Sequence, residues 1–301
     1  MSTFLPLQKI SDLFHFFRME QAVLHPLVAV IDFSKVRDEV TEKTLLSCDF
    51  YSLICKSYQG NNIMYGRKTI DFQDGSLICL APNQVLTIEN DFGQNPTLTG
   101  WGLFFHPDLF RVATLAQKIK DYSFFSYDIS EALHLSEKEN QILKDCIWRI
   151  ELELNENIDD HSQSIIVSQI EMVLNYCRRF YSRQFITRKP TNHAVVAQVE
   201  KILTAYFQGD LERRLPTVKA LAEQVFLSPG YLSDMLKKET GKNAQDHIHF
   251  FLIEEAKNLL INSDKSVGEI AYTLGFEYPQ YFNKLFKRKT GKTPLAFRTE
   301  P

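Results

Sequence analysis

Two stretches decide how this chain folds: Ser228–Lys242, SPGYLSDMLKKETGK, and Tyr278–Lys292, YPQYFNKLFKRKTGK. At an offset of fifty, Pro229 falls on Pro279, Tyr231 on Tyr281 and Lys237 on Lys287. Thr240-Gly241-Lys242 then falls on Thr290-Gly291-Lys292. Leu232 and Leu236 correspond to Phe282 and Phe286, and residues spaced i, i+4 share one face of a helix. Upstream, Leu221, Ala222 and Val225 match Ile270, Ala271 and Leu274 at an offset of forty-nine. The repeated unit is a short helix, a tight turn and a second helix, over about 217–241 and again over about 266–291. This is the layout of a helix-turn-helix, whose second helix enters the DNA major groove. Two copies are fewer than the three or more that a stacked helical scaffold needs, which weighs against that rival reading.

If the leucine and phenylalanine pairs face inward, with the small Ala222 and Ala271 where the two helices cross, the outward residues follow. They are Gly230, Ser233, Asp234 and Lys237 in the first copy, and Pro279, Gln280, Asn283, Lys284 and Lys287 in the second. Gln280 or Asn283 suits two-pronged reading of adenine, Lys284 suits guanine O6 and N7, and Asp234 can accept from cytosine N4. Lys287, Arg288, Lys289 and Lys292 suit phosphate. Tyr278–Arg298 holds six Lys and Arg and no acid, although charge alone reads as well as a solvated helix face. The helix expected over 244–262 would be roughly 28 Å long at 1.5 Å per residue. That is close to the ~34 Å at which major-groove faces recur on one side of B-DNA.

Outward from the repeat, Val195, Val199, Ile202, Leu203 and Tyr206 predict a helix that ends before Gly209, so 193–301 reads as one all-α domain. The polar, non-periodic stretch 183–192 reads as a linker. Ile142, Cys146, Ile147, Ile150 and Leu154 recur at helical spacing, as do Ile166, Ile170, Val173, Leu174, Cys177 and Tyr181. They predict two amphipathic helices within a segment spanning 126–182, joined by the acidic loop Asn155–Asp160. Residues 1–125 read as strands: 27–33, 50–58, 66–72, 76–82, 84–90 and 99–105 are short and rich in β-branched and aromatic residues. Turn residues such as Gly60-Asn61-Asn62 and Asp91-Phe92-Gly93 punctuate them, in the manner of a sandwich or small barrel. The fold class is α+β, with several domains.

Composition excludes several classes. The 301 residues are 44% hydrophobic and 24% charged, with 12 Gly and 11 Pro, which rules out collagen-like, disordered and low-complexity chains. No apolar run reaches the ~20 residues of a membrane span, and the first twenty residues lack a signal-peptide pattern. Five cysteines stand apart with no CxxC, which argues against a disulfide framework or zinc knuckle and for a soluble protein of a reducing compartment. The net charge of −3 hides an asymmetry: from Pro190 onward there are 15 Lys and Arg against 13 Asp and Glu, before it 19 against 24. His15, His25 and His106 are far apart and form no metal cage. His247 and His249, two apart on a helix, point to different sides. Gly-rich phosphate loops, GxSxG, HExxH and Cys–His pairs are missing from the sequence, so neither catalysis nor a cofactor is expected.

Residues 193–298 resemble the AraC/XylS family of bacterial transcription regulators. The resemblance rests on SPGYLSDMLKKETGK and on EEAKNLLINSDKSVGEIAYTLGFEYPQYFNKLFKRKTGKTPLAFR, about a third of the chain. Within the second stretch, Gly275-Phe276, Tyr281-Phe282, Phe286-Lys287, Gly291 and Thr293-Pro294 match the family pattern. Two departures stand out: Leu252 takes the place of a usual Arg, and Asp234 that of a usual basic or amide residue. The resemblance implies a cytoplasmic, sequence-specific DNA-binding regulator that is not an enzyme. It also implies a cupin-like β-barrel or jelly roll over 1–125 as a sensor, 126–182 as a helical dimerisation segment, and a homodimer. Duplex DNA would be the main partner, with RNA polymerase and a small-molecule effector as further ones. Phe50, Tyr51, Tyr58, Tyr65 and Trp101 are the candidate effector-pocket residues, although aromatics in strands more often simply fill a core. The family's DNA-repair variant would need a cysteine cluster near the N-terminus, and this sequence has none there.

Overall fold

The computed structural model describes residues 3–36, 44–58, 63–65, 68–70, 75–88, 98–111, 113–156, 159–208 and 215–299. The turns expected at 60–62 and 91–93, the middle of the 155–160 loop and Gly209 lie outside the described residues. The chain divides into two compact units, 1–187 and 188–301.

The first unit contains strands β1 (Thr3–Leu7), β2 (Val28–Asp32), β3 (Thr44–Cys48), β4 (Tyr51–Tyr58), β5 (Ile63–Tyr65), β6 (Lys68–Ile70), β7 (Ser76–Leu80), β8 (Val85–Ile88), β9 (Leu98–Phe105) and β10 (Leu133–His134). Its helices are α1 (Ile10–Phe16), α2 (Leu115–Lys118), α3 (Glu137–Asn155) and α4 (Ser162–Thr187). An antiparallel five-stranded sheet has the order β10-β7-β4-β9-β2, a three-stranded sheet β1-β3-β8, and β5 pairs with β6. Side chains alternate across a strand, so the five-stranded sheet has two apolar faces. Ala29, Ile31, Ile54, Ile78 and Phe104 join Leu46 and Leu86 of the smaller sheet in a single core. Leu53, Leu77, Leu103 and Phe105 are fully buried as well, and they point the other way, toward the helices.

On that second face four of the five cysteines converge. Cys55 of β4, Cys79 of β7 and Cys146 of α3 all lie close enough to Cys177 of α4 for it to perturb their thiols. Burial is the larger effect and pushes Cys55 up to about 12. All five cysteines are free. These buried thiols act as small apolar packing groups between sheet and helices.

Two expectations change. The 1–125 region is not all strand: Ile10–Phe16 is helical because Ile10, Leu13 and Phe14 bury one face into the core, and Asp12 closes a capping box on Lys9. The 183–192 linker is helix throughout except at Arg188, because α4 runs on to Thr187 and the next helix begins at Lys189. The polar residues responsible for the linker reading are held by tertiary bonds. Arg183 forks onto Glu139 at 3.0 and 2.7 Å and donates to the His134 carbonyl. Gln184, fully buried, accepts from the His134 N–H and donates to the Ala132 carbonyl. Burial would raise the Glu139 carboxyl, but hydrogen bonds from Ser136 and Arg183 outweigh it and hold the group low.

The second unit is helical: α5 (Lys189–Gln208), α6 (Val218–Gln224), α7 (Pro229–Thr240), α8 (Ala244–Asn262), α9 (Val267–Thr273), α10 (Pro279–Thr290) and α11 (Pro294–Thr299). Ile248, Leu252, Ala256 and Leu260 line the buried side of α8. Leu252 is thus a core residue, at the position where the family resemblance suggested Arg. His247 is buried against Thr240, 2.8 Å from its Oγ1, while His249 is only half-buried, so the two do not share a ligand set.

Gly102 on β9 tests the tightness of the first core. A Cβ there would sit 2.5 Å from the Phe104 ring and 2.9 Å from Phe33, and both rings are buried. Gly102→Ala should therefore destabilise the unit by about 1–3 kcal/mol through overpacking. The expected readout is a lower denaturant midpoint with an unchanged slope.

Candidate nucleic-acid interface

Each copy of the repeat is set by the same local devices. Thr217 and Ser266 cap α6 and α9, Ser266 in a reciprocal box with Glu269. In the turn that follows, the Leu227 N–H donates to the Ala222 carbonyl and the Phe276 N–H to the Ala271 carbonyl, at 3.0 and 2.9 Å. Phe226 and Gly275 occupy equivalent left-handed positions, with φ of 59° and 91°. Glycine takes this conformation freely and phenylalanine does not. Ser228 caps α7, with Pro229 at the first helical position. Both second helices stop at a left-handed glycine, Gly241 or Gly291. Thr240 Oγ1 and Thr290 Oγ1 each donate 2.8 Å back to the previous turn and accept from the Lys242 or Lys292 N–H. The repeated Thr-Gly-Lys is thus a stop device.

Leu232, Leu236, Phe282 and Phe286 are fully buried, and so are Ala222 and Ala271, as the repeat predicts. The outward residues differ between copies. Gln280, Asn283, Lys284, Lys287 and Arg288 are exposed along α10, with Pro279 half-buried at its start. Lys284, Lys287 and Arg288 fall at i, i+3, i+4 and so share one face. On α7, Gly230, Ser233 and Asp234 are half-buried and Lys237 is exposed.

Two of the six clustered cations serve the fold. Lys289 pairs with Asp246 of α8 at 2.9 Å, and this contact holds the Asp246 carboxyl low. Its counterpart in the first copy, Glu239, accepts from Asn192 Nδ2 at 2.9 Å on α5. Arg298 donates to the carbonyls of Leu260 and Lys265, satisfying the end of α8. Lys289 thus also ties α10 to α8. The sequence reading also passed over Tyr281 and Tyr278. Tyr231 is buried, but its repeat partner Tyr281 is 61% exposed and packs edge-on to Tyr278. Sequence identity within the repeat concealed that difference.

Residues 221–300 match the family model described as a helix-turn-helix domain. The C-terminal unit is an AraC-type DNA-binding domain. This AraC-type domain is 33% identical over 115 residues to the uncharacterized HTH-type transcriptional regulator YobQ of Bacillus subtilis, covering 38% of this chain and 45% of that protein. Over 111 residues the chain is 33% identical to the bifunctional transcriptional activator/DNA repair enzyme AdaA of the same species, covering 36% and 52%. Among solved structures it matches the C-terminal domain of the two-component response regulator yesN from Fusobacterium nucleatum. That match is 33% identical, covers 34% of this chain and 98% of that one, and has a TM-score of 0.30. The matches to YobQ and AdaA span about half of each relative's length.

Of the five effector candidates, the three whose side chains are described do not all face one space. Phe50 is fully buried in the core between the sheets, edge-on to Phe104. Tyr51 faces the other way, stacked on Phe105 and against Phe125, where burial raises its phenol. Trp101 lies beyond it on that same face. The side chains of Tyr58 and Tyr65 lie outside what is described. The space between the sheets, lined by Phe50, Phe104 and Phe17, amounts to about 40 Å³, far below the ~300 Å³ of a small ligand pocket. Among the described residues, no group of three or more His, Cys, Asp or Glu is placed to hold a metal ion.

Lys284→Ala should weaken binding to a preferred DNA site by about 1–3 kcal/mol and relax preference at one base position. An equal loss on every sequence would make Lys284 a phosphate contact. Lys287→Ala and Arg288→Ala should each lower the slope of log K against log salt by about one. An unchanged slope would remove them from the interface.

Proposed function

We propose that this chain is a sequence-specific transcription regulator of the cytoplasm, without catalytic activity, that reads two successive major grooves with α7 and α10. The acid-free, exposed face of α10 is the observation that carries the reading, because it joins exposed amides to exposed cations on a helix whose other side is locked into the core. Selection of random duplexes by the protein at two salt concentrations tests it. The expected outcome is an enriched bipartite site with halves about 34 Å apart. Binding that is salt-sensitive but enriches no motif would leave only a backbone grip and overturn the tandem-reader part.

The protein acts as a homodimer through its 126–182 segment, with α4 as the contact helix. Ile165 and Met172, seven residues apart, are both exposed on α4, and a seven-residue spacing places them on one stripe suited to a partner helix. Met172→Glu should shift the sedimentation coefficient from dimer to monomer. A value identical to the unaltered protein would move the interface elsewhere. An effector bound to the first unit changes how the second is presented to DNA. This is a coupling between two sites, and it requires the effector to bind the two states unequally.

A further inference from the structure

Among the described residues, the first unit has larger clefts outside the sheets than the space lined by Phe50, Phe104 and Phe17 between them. Val28, Val30 and Asp32 of β2 and Trp101 of β9 project from the same sheet face, Asp32 directly opposite Trp101 in the register. Helix α3 crosses this face with Lys144, Trp148 and Glu151. Two clefts of about 480 and 380 Å³ meet there and share Val30, Asp32, Trp148 and Glu151. Volumes of this size are typical of small-molecule sites.

Lys144 and Glu151 stand seven residues apart on α3, about 10 Å of helix, so the cleft carries opposite charges at separate points. Asp32 and Glu151 are close enough to repel. Burial raises the Glu151 carboxyl, Lys35 at the rim partly offsets this, and Asp32 raises it further. Beside them Trp148 is 56% exposed, which leaves an aromatic face open to a cation. Toward Lys144 the lining also includes Trp101, which stands opposite Asp32 on the sheet. The Trp101 indole N–H is buried and meets no acceptor among the described residues, a costly state for a donor. A purely anionic ligand would face two carboxylates. A purely cationic one would face Lys144.

We propose that this cleft binds a free amino acid or a similarly sized zwitterion, its ammonium between Asp32 and Glu151 against the Trp148 ring and its carboxylate on Lys144. The proposal deepens the effector reading and rests on it only for the regulatory consequence; binding itself is independent of DNA.

The chain has two tryptophans, and both line this site, so intrinsic emission of the intact protein reports on it. The emission is titrated without DNA against the free L-amino acids, the primary amines lacking the carboxylate, and the carboxylic acids lacking the amine. Calorimetry serves as a second readout for each. At least one amino acid should give saturable binding, with both one-ended analogues weaker. Glu151→Gln and Lys144→Met should each weaken it about tenfold, the loss of one charge-assisted contact, while circular dichroism stays unchanged. No binding of any amino acid in either readout overturns the proposal. Equal binding of a one-ended analogue, or affinity indifferent to Glu151→Gln, overturns the zwitterion assignment. Because DNA is absent, none of these failures touches the DNA-reading proposal, and failure of the duplex selection does not touch this one.

Discussion

Burial of two i, i+4 pairs, Leu232 with Leu236 and Phe282 with Phe286, fixes the rotation of both candidate reading helices about their own axes. Fully burying each such side chain contributes about 1.5–3 kcal/mol, so a helix turned by even one residue would forfeit most of this. Ala222 and Ala271, with no accessible surface, stand opposite where a larger side chain would push the helices apart. Caps at both ends limit sliding: Ser228 and Gly241 on α7, proline and Gly291 on α10. With rotation and register set in this way, the identity of the outward residues follows from helical geometry.

The two copies are alike in their frame and unlike in what they display. Position for position, Glu239 ties α7 back to α5 and Lys289 ties α10 back to α8. The same site in the repeat is thus used for the same structural purpose with opposite charge. Along α10 that leaves Lys284, Lys287 and Arg288 engaging no acidic group among the described residues, next to the exposed Tyr278 and Tyr281. Along α7 the corresponding surface is more enclosed and includes Asp234. Under the proposed tandem reading, such different surfaces would divide the labour, with electrostatic grip from the second helix and a shape-limited contact from the first.

The first unit shows how a two-faced sheet distributes its space. Phenylalanines fill the interior between the sheets almost completely, and thiols and leucines fill most of the opposite face beneath α3 and α4. Toward β2, an edge strand, packing against α3 loosens into a cleft of ligand size. The polar residues of that cleft, Asp32, Lys144 and Glu151, come from a strand and a helix more than a hundred residues apart. Neither segment contains a motif that marks them.

The internal repeat made the second unit legible from residues alone. The helix-turn-helix spacing, the inward pairs and most of the outward set of α10 are local consequences of periodicity, and the described helices reproduce them. Most strands of the first unit were also visible as short β-branched runs. The missed elements share one physical feature, that their stabilisation is non-local. Helix α1 forms because Ile10, Leu13 and Phe14 meet a core assembled from distant strands. Residues 183–187 are helical because Arg183 and Gln184 find partners near position 134. Lys289 and Arg298 look like free cations until Asp246 and the end of α8 are placed beside them. Sequence alone determined which side chains each helix turns outward, because that depends on spacing along one element. Tertiary structure alone decided which of them stay available and where the first unit keeps its space, because partners and cavities arise between elements that the chain brings together only when folded.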